Sequence, residues 1–173
     1  DVSPDWVVPS AGIITAIKTI VQAFSAPGDG VLIQPPVYGH FRDDVLLNGR
    51  VPVPAQLTRT ETGYRYDPTV FEAAIQPNTK LFILSNPHNP TGNVWSADEL
   101  RSMGEICERH GILVVSDEIH QDLIMNPALQ HTPFASLGEV DQLQRDVALL
   151  GAGFATALSG IDMFGLWCPI KDR

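Results

Sequence analysis

Two short apolar runs, each followed at once by polar residues, constrain the fold of this chain more than any other feature. The run Leu81–Leu84 leads into Ser-Asn-Pro-His-Asn-Pro-Thr-Gly at residues 85–92. The run Ile112–Val115 leads into Ser-Asp-Glu-Ile-His at residues 116–120, and a helix-like segment separates the two runs. This alternation predicts an α/β fold with a mainly parallel sheet flanked by helices. Because open α/β sheets bind ligands at the carboxyl ends of their strands, the two polar segments predict a binding edge.

The rest of the chain continues the alternation of helix and strand. Apolar residues at helical spacing predict a helix from Ile13 to Phe24, with one buried face. Ser96 followed by Glu99 forms a capping box, which predicts the start of a helix that ends near residues 110–111. The other predicted elements are strands at Val31–Gln34 and Val51–Val53, helices at Tyr38–Leu47 and from Asp67–Pro68 through Ile75, and a loop or edge hairpin at Thr58–Tyr66.

Composition excludes several classes of function. The 173 residues are 44% hydrophobic, which is enough for one domain with a core. The net charge is -9 and Lys and Arg form no cluster, so we expect no nucleic-acid partner. The two cysteines, Cys107 and Cys168, lack metal-type spacing and indicate a reduced, cytoplasmic protein. The uncharged segment Val147–Ile161 is shorter than the ~20 residues of a membrane span, so we expect it to be buried.

Two positions suit a planar, phosphorylated ligand, and each has a purely structural alternative. Gly12, at the start of the first predicted helix, would let a phosphate approach backbone N–H groups that have no partner. A small residue at that position is also a common helix cap. Tyr38 follows a rigid Pro-Pro pair and could stack on a planar ring, or it could pack at the rim of the core.

The two polar segments add hydrogen-bonding groups. Asn89 lies in a turn stiffened by two prolines, where its amide would serve a ligand oxygen or only the turn itself. Asp117 ends an apolar strand, where a carboxylate is costly unless it is paired with a cation or caps the next helix. Glu118 should point to the other side of the sheet. His120 is either a site residue or a surface histidine, and His88, Asp117 and His120 lack any recognised metal-ligand spacing.

Four motifs in a fixed order carry a family resemblance. They are Ser-Ala-Gly at 10–12, Pro-Val-Tyr at 36–38, Asn-Pro-His-Asn-Pro-Thr-Gly at 86–92 and Ser-Asp-Glu-Ile-His at 116–120. In this order they resemble the large domain of the fold-type-I pyridoxal-phosphate enzymes. With His-Thr-Pro-Phe-Ala-Ser-Leu at 131–137, they resemble most the MalY/PatB-type cystathionine β-lyases, also called cysteine-S-conjugate β-lyases.

The resemblance implies pyridoxal 5'-phosphate as the cofactor and a role for each matched residue. The residues that would contact the cofactor are Ala11, Gly12, Ile13, Tyr38, Asn89, Asp117, Ile119 and His120. The backbone of the first three would hold the phosphate, and Tyr38 and Ile119 would lie on opposite faces of the ring. Asn89 would bind the phenolic oxygen and Asp117 the protonated ring nitrogen. His120 stands where many relatives have a tyrosine that contacts the phenolic oxygen.

The resemblance also implies an activity. Members of this branch cleave cystathionine or cysteine conjugates by β-elimination, releasing a thiol, pyruvate and ammonia. A homodimer acting on a small amino acid is the implied assembly. A class I/II aminotransferase is an alternative within the same fold, and a non-catalytic remnant that binds the cofactor or a partner is a third possibility.

The lysine that forms the Schiff base in this family is missing from its expected place. It should follow residues 134–137 within a Ser-Lys-Thr-Phe-Asn-like motif, and Lys171 lacks that motif. Lys18 and Lys80 fall in a predicted helix and at a strand start. We therefore assign no catalytic residue and expect no lyase activity from this chain, because neither the covalent anchor nor the base for the Cα proton is identified.

The same comparison predicts two regions. Residues 1–139 should form a partial cofactor-binding large domain, and residues 140–173 a divergent or frameshifted tail. Since the chain starts at Asp1 rather than Met, we expect a fragment. Within the tail, Gly151–Ala157 resembles a dinucleotide-binding fingerprint, but its third small residue is one place late and no acidic residue follows at the usual distance.

Overall fold

The computed structural model describes residues 8–137, 147–151 and 165–167. The helices are α1 Ile13–Phe24, α2 Gly39–Leu47, α3 Pro68–Ala74 and α4 Ala97–Arg109. The strands are β1 Gly30–Ile33, β2 Val51–Pro54, β3 Thr58–Thr60, β4 Gly63–Arg65, β5 Thr79–Ser85, β6 Leu113–Asp117, β7 Val147–Gly151 and β8 Gly165–Trp167. A short 3-10 helix spans Phe134–Leu137.

The main sheet has the strand order β2-β1-β5-β6-β7-β8. All neighbouring pairs are parallel except β7 and β8, which are antiparallel. The prediction of an α/β fold with a mainly parallel sheet is therefore confirmed. Strands β3 and β4 form a separate antiparallel hairpin, which agrees with the edge hairpin predicted at Thr58–Tyr66.

The core lies on both faces of the sheet, as the uninterrupted apolar runs of the strands predict. In β5, Leu81 and Ile83 pack in the cluster under α1 and α2, while Phe82 and Leu84 pack in the cluster under α4. All four side chains are fully buried. Side chains that alternate along β5 thus pack against helices on both faces of the sheet. The polar residues lie at the edge of the sheet, where the strands end.

The helix boundaries follow local capping chemistry. The capping box of α4 is present, since the Ser96 side chain accepts from the Glu99 N–H and the Glu99 side chain accepts from the Ser96 N–H. The Asp67 carboxylate caps α3 by accepting from the N–H groups of Thr69 and Val70, and Pro68 occupies the first turn. Both starts agree with the sequence prediction.

Several predictions fall partly or wholly outside the described residues. They concern the boundary at 139/140, most of the apolar segment 147–161, the fingerprint-like run after residue 151, and Lys171. Strands β7 and β8 lie within the segment 140–173 and belong to the main sheet. Among the described residues, no helix is both long and apolar enough to cross a membrane.

Candidate functional site

The ends of β5 and β6 place the two polar segments side by side. The strands pair in parallel, with Ser85 opposite Asp117. Immediately after β5, the N–H of Asn86 donates to the carbonyl oxygen of Asp117 at 2.9 Å. The paired strands and this hydrogen bond therefore place the Asn89 turn next to the Asp117 carboxylate at the carboxyl edge of the sheet.

Hydrogen bonds connect Tyr38 to the Asn89 turn at this edge of the sheet. The N–H of Asn89 donates to the Ser85 hydroxyl at 3.0 Å, and the carbonyl of Asn89 accepts from the N–H of Tyr38 at 3.0 Å. The Tyr38 ring meets the buried Phe41 edge-on and lies tilted against His40, so it borders the core while part of its surface stays exposed. The structure thus brings together three residues that are distant in sequence, Tyr38, Asn89 and Asp117.

The Asp117 carboxyl is buried at the strand end, with 6% of the residue exposed. Its pKa is raised from 3.8 to about 7, chiefly by burial; the hydrogen bond from the N–H of Ile119 opposes the rise, and the charge of the neighbouring Glu118 adds to it. That N–H donates to Oδ1 at 3.2 Å, and residues 119–122 form a turn, not the helix that a capping role would need. No ion pair reaches Asp117 from residues 8–137, so the carboxylate lacks the cation that would stabilise its charge.

Glu118 points away from Asp117 and has its own set of donors, which the sequence did not reveal. Its carboxylate accepts from the Ser116 hydroxyl at 2.8 Å and the Phe134 N–H at 2.9 Å, and lies 3.0 Å from His131 Nε2. These contacts bind the segment around residues 131–134 against the sheet edge. No local pattern predicts the contacts with His131 and Phe134, because these residues lie 13 and 16 positions away from Glu118.

The start of α1 suits an anion. Gly12 is the N-cap residue at φ 128° and ψ 154°, a conformation that favours glycine, and no side chain caps the helix. The Ser10 hydroxyl donates to the Gly12 carbonyl at 3.3 Å instead of serving the helix N–H groups. Since a short turn joins the end of α1 to the start of β1, α1 runs antiparallel to β1. Its N-terminus therefore lies toward the carboxyl edge of the sheet.

The remaining candidate residues occupy defined places. Ala11 is exposed and Ile13 half-buried at the start of α1, and Ile119 and His120 are half-buried in the turn after β6. His88 is buried, and both its ring nitrogens contact protein groups, Thr91 Oγ1 and the Gln34 carbonyl. Within the described ranges, no group of His, Cys, Asp and Glu side chains could hold a metal ion.

Comparison with known proteins decides the family. The family model described as "Aminotransferase class I and II" matches residues 1–160. The chain belongs to the class I and II aminotransferase family. Within it, the chain is 45% identical over 139 residues to cystathionine beta-lyase PatB of Bacillus subtilis (strain 168), covering 80% of this chain and 36% of PatB. It is 35% identical over 136 residues to protein MalY of Escherichia coli (strain K12), covering 78% of this chain and 35% of MalY.

Solved structures agree with this placement of the aminotransferase-family chain. Cystalysin from Treponema denticola, whose crystal structure contains a pyridoxal 5'-phosphate cofactor, superposes with a TM-score of 0.90 at 33% identity, covering 97% of this chain and 42% of cystalysin. These comparisons confirm the predicted resemblance to the MalY/PatB-type lyases. They also confirm the prediction of pyridoxal 5'-phosphate as the cofactor. The chain spans about a third of the length of the two curated relatives.

Proposed function

We propose that the carboxyl edge of the sheet binds pyridoxal 5'-phosphate. One observation carries the proposal: Asp117 is a buried carboxylate, displaced in pKa to about 7, with no cation bound to it in the described structure. A protonated pyridine nitrogen is a planar cation that would fit this position. Pairing with it would lower the cost of ionising Asp117 and keep the ring nitrogen protonated.

The other candidate residues fit the remaining groups of the cofactor. Tyr38 offers an exposed ring to one face of the pyridine, and Ile119 would pack on the other face. The Asn89 amide would donate to the phenolic oxygen. The uncapped N–H groups around Gly12 would receive the phosphate. His120, in the turn after β6, would add a second contact near the phenolic oxygen.

We infer that the parent enzyme is a carbon–sulfur β-lyase acting on cystathionine or a cysteine conjugate. When bound, pyridoxal phosphate supplies an electron sink for the carbanion formed at the substrate Cα. The name of PatB, a cystathionine beta-lyase, supports this branch, and the aminotransferase name of the family model supports amino-group transfer as the alternative. A cytoplasmic homodimer with residues 1–139 as part of its large domain belongs to the same proposal.

The chain itself should lack lyase activity, because no amine is found at the expected place. Leu150 of β7 pairs with Asp117, so Gly151 follows at the same edge of the sheet, and Ala-Gly-Phe-Ala-Thr comes next. Lys18 Nζ lies 3.2 Å from the buried carboxylate of Asp44, and Lys80 lies at the start of β5, the opposite end of that strand. A cofactor bound here would be held without a covalent link to either lysine.

Binding of 4-deoxypyridoxine 5'-phosphate tests the site, since this analogue lacks the aldehyde and cannot react with lysines. We expect calorimetry on the 173-residue chain to show one reversible site, weakened about tenfold or more by Asp117→Asn, a loss typical of one charged hydrogen bond. The matched control is Asp98→Asn, on the exposed face of α4. Equal affinity in both variants would contradict the proposed role of Asp117.

Activity assays test the rest. With pyridoxal phosphate and cystathionine, we expect no pyruvate above the rate of free cofactor, and no adduct fixed at a single lysine by borohydride. Pyruvate release at an enzyme-like rate would refute the proposed inactivity. In an intact relative with the lysine motif, pyruvate release supports the lyase branch, whereas amino-group transfer to a keto acid supports the aminotransferase alternative.

A further inference from the structure

His88 is placed to control the geometry of the candidate site without touching a ligand. It lies beside Asn89 in the turn after β5, and only 2% of the residue is exposed. Its Nδ1 is 2.9 Å from Thr91 Oγ1, and its Nε2 is 3.2 Å from the carbonyl oxygen of Gln34. Both ring nitrogens are thus committed to protein partners, one within the turn and one on the chain leaving β1.

The partners define which nitrogen carries the proton. A carbonyl oxygen can only accept, so Nε2 must donate to Gln34. Nδ1 of the neutral ring then accepts from the Thr91 hydroxyl. Burial lowers the pKa of His88 to about 4, which favours this neutral form at pH 7. The ring therefore acts as a fixed donor–acceptor bridge and not as a metal ligand.

The turn closes around the backbone of His88. Its N–H donates to the Asn93 carbonyl at 2.8 Å, and its carbonyl accepts from the Gly92 N–H at 2.8 Å. The Trp95 indole packs edge-on against the imidazole with ring centres 5.5 Å apart, and the indole N–H donates to the Ser85 carbonyl. Buried packing and hydrogen bonds thus fix the ring on several sides.

Two contacts join this turn to the segment that follows β1. His88 Nε2 binds the carbonyl of Gln34, and four residues later the N–H of Tyr38 binds the carbonyl of Asn89. The segment 34–38 and the turn 88–92 are therefore braced at two points. This brace sets the position of the Asn89 amide relative to the Tyr38 ring.

We propose that His88 is a positioning residue, which holds the Asn89 amide at the place beside Tyr38 that a pyridoxal ring requires. The inference rests on the proposed function, because the ligand is the one proposed for Asp117. The proposal adds a role for His88, whereas the resemblance of the motif at 86–92 implied a role for Asn89 alone. Since His88 acts through Asn89, its contribution to binding should depend on the presence of the Asn89 amide.

Two amide substitutions separate the bridge from simple packing. In His88→Gln, the side-chain amide nitrogen can take the place of Nε2 and keep the donor to Gln34. In His88→Asn, the amide is too short to reach that carbonyl. Thr91→Val removes the hydroxyl from the other side of the bridge and leaves the imidazole in place. His110→Gln is the matched control, since His110 pairs with Glu72 on the surface beside α4.

Binding of 4-deoxypyridoxine 5'-phosphate is measured for each variant in the wild-type and Asn89→Ala backgrounds, with urea unfolding of each variant as the check on folding. We expect His88→Asn to weaken binding about tenfold in the wild-type background and less than about twofold beside Asn89→Ala, as for two coupled residues. The affinity of His88→Gln should be within about threefold of wild type, and that of Thr91→Val should lie between those of His88→Gln and His88→Asn. His110→Gln should bind the analogue as wild type does.

The outcomes are distinguishable. Equal losses for His88→Asn in both backgrounds would mean that His88 only supports the fold, and would overturn the positioning role while leaving the proposed function intact. Equal losses for His88→Gln and His88→Asn would overturn the bridge to Gln34. Absence of binding by the folded wild-type chain would refute the proposed function, and the positioning role with it.

Discussion

Replacing Asp117 with asparagine tests the electrostatic reasoning behind the site. Burial raises the pKa of Asp117 from 3.8 to about 7, so the folded protein holds this proton more tightly than the unfolded chain does. A displacement of about three pH units corresponds to about 4 kcal/mol, at about 1.4 kcal/mol per unit. The stabilising contribution is fully present below pH 3.8 and is lost as the pH rises to about 7.

The asparagine variant cannot ionise, so it avoids this loss. Without ligand, we expect Asp117→Asn to unfold with about the same free energy as wild type at pH 4 and up to about 4 kcal/mol more at pH 8. His88 acts in the opposite sense, because its lowered pKa of about 4 makes stability fall as the pH drops below 6.5. Since both proteins contain His88, the difference between them reports Asp117 alone.

Urea unfolding in steps from pH 4 to pH 8 measures this difference directly. Asp98→Asn serves as the control, since its carboxylate side chain is 94% exposed and its replacement should change stability far less than that of the buried Asp117. Addition of 4-deoxypyridoxine 5'-phosphate should favour wild type at pH 8, because an ionised Asp117 can pair with the protonated ring nitrogen. A difference for Asp117→Asn that stays constant with pH would refute the reasoning from burial.

Three further substitutions test other parts of the structure. Glu118→Gln should lower the free energy of unfolding by about 3 kcal/mol, because buried donors lose a charged acceptor. It should also lower the pKa of Asp117 in a carbon-13 NMR titration, and an unchanged pKa would contradict the coupling. Gly12→Ala should cost about 1–3 kcal/mol of backbone strain and weaken binding of the analogue, both measurable by unfolding and calorimetry. Ser96→Ala should cost about 1 kcal/mol by removing the capping box with Glu99, while analogue affinity stays at the wild-type value.

Elements governed by neighbours in the chain were predictable. The start of α4 follows from Ser96 and Glu99, whose capping box needs only residues three apart. The start of α3 follows from Asp67 and Pro68 for the same reason. The mainly parallel direction of the strands could be predicted because apolar runs alternate with a helix-like segment, a pattern that requires no knowledge of tertiary contacts.

Contacts between distant segments were not predictable from these patterns. The bond between His88 and the Gln34 carbonyl joins residues 54 apart, so no local pattern predicted which groups the His88 ring would bind. Two of the partners of Glu118, His131 and the Phe134 N–H, come from a segment whose position depends on the packing of the whole sheet edge. Sequence predicted only that Glu118 would face away from Asp117.

The sequence by itself determined the order of the motifs, the parallel sheet and the edge at which Asn89 and Asp117 would lie, because strand direction follows from local alternation. Only the tertiary structure decided that Asp117 is buried without a paired cation and that Tyr38 is bonded to the Asn89 backbone. The physical reason is that the charge state of a carboxyl depends on its burial and partners. Both are set by segments that meet only when the chain has folded.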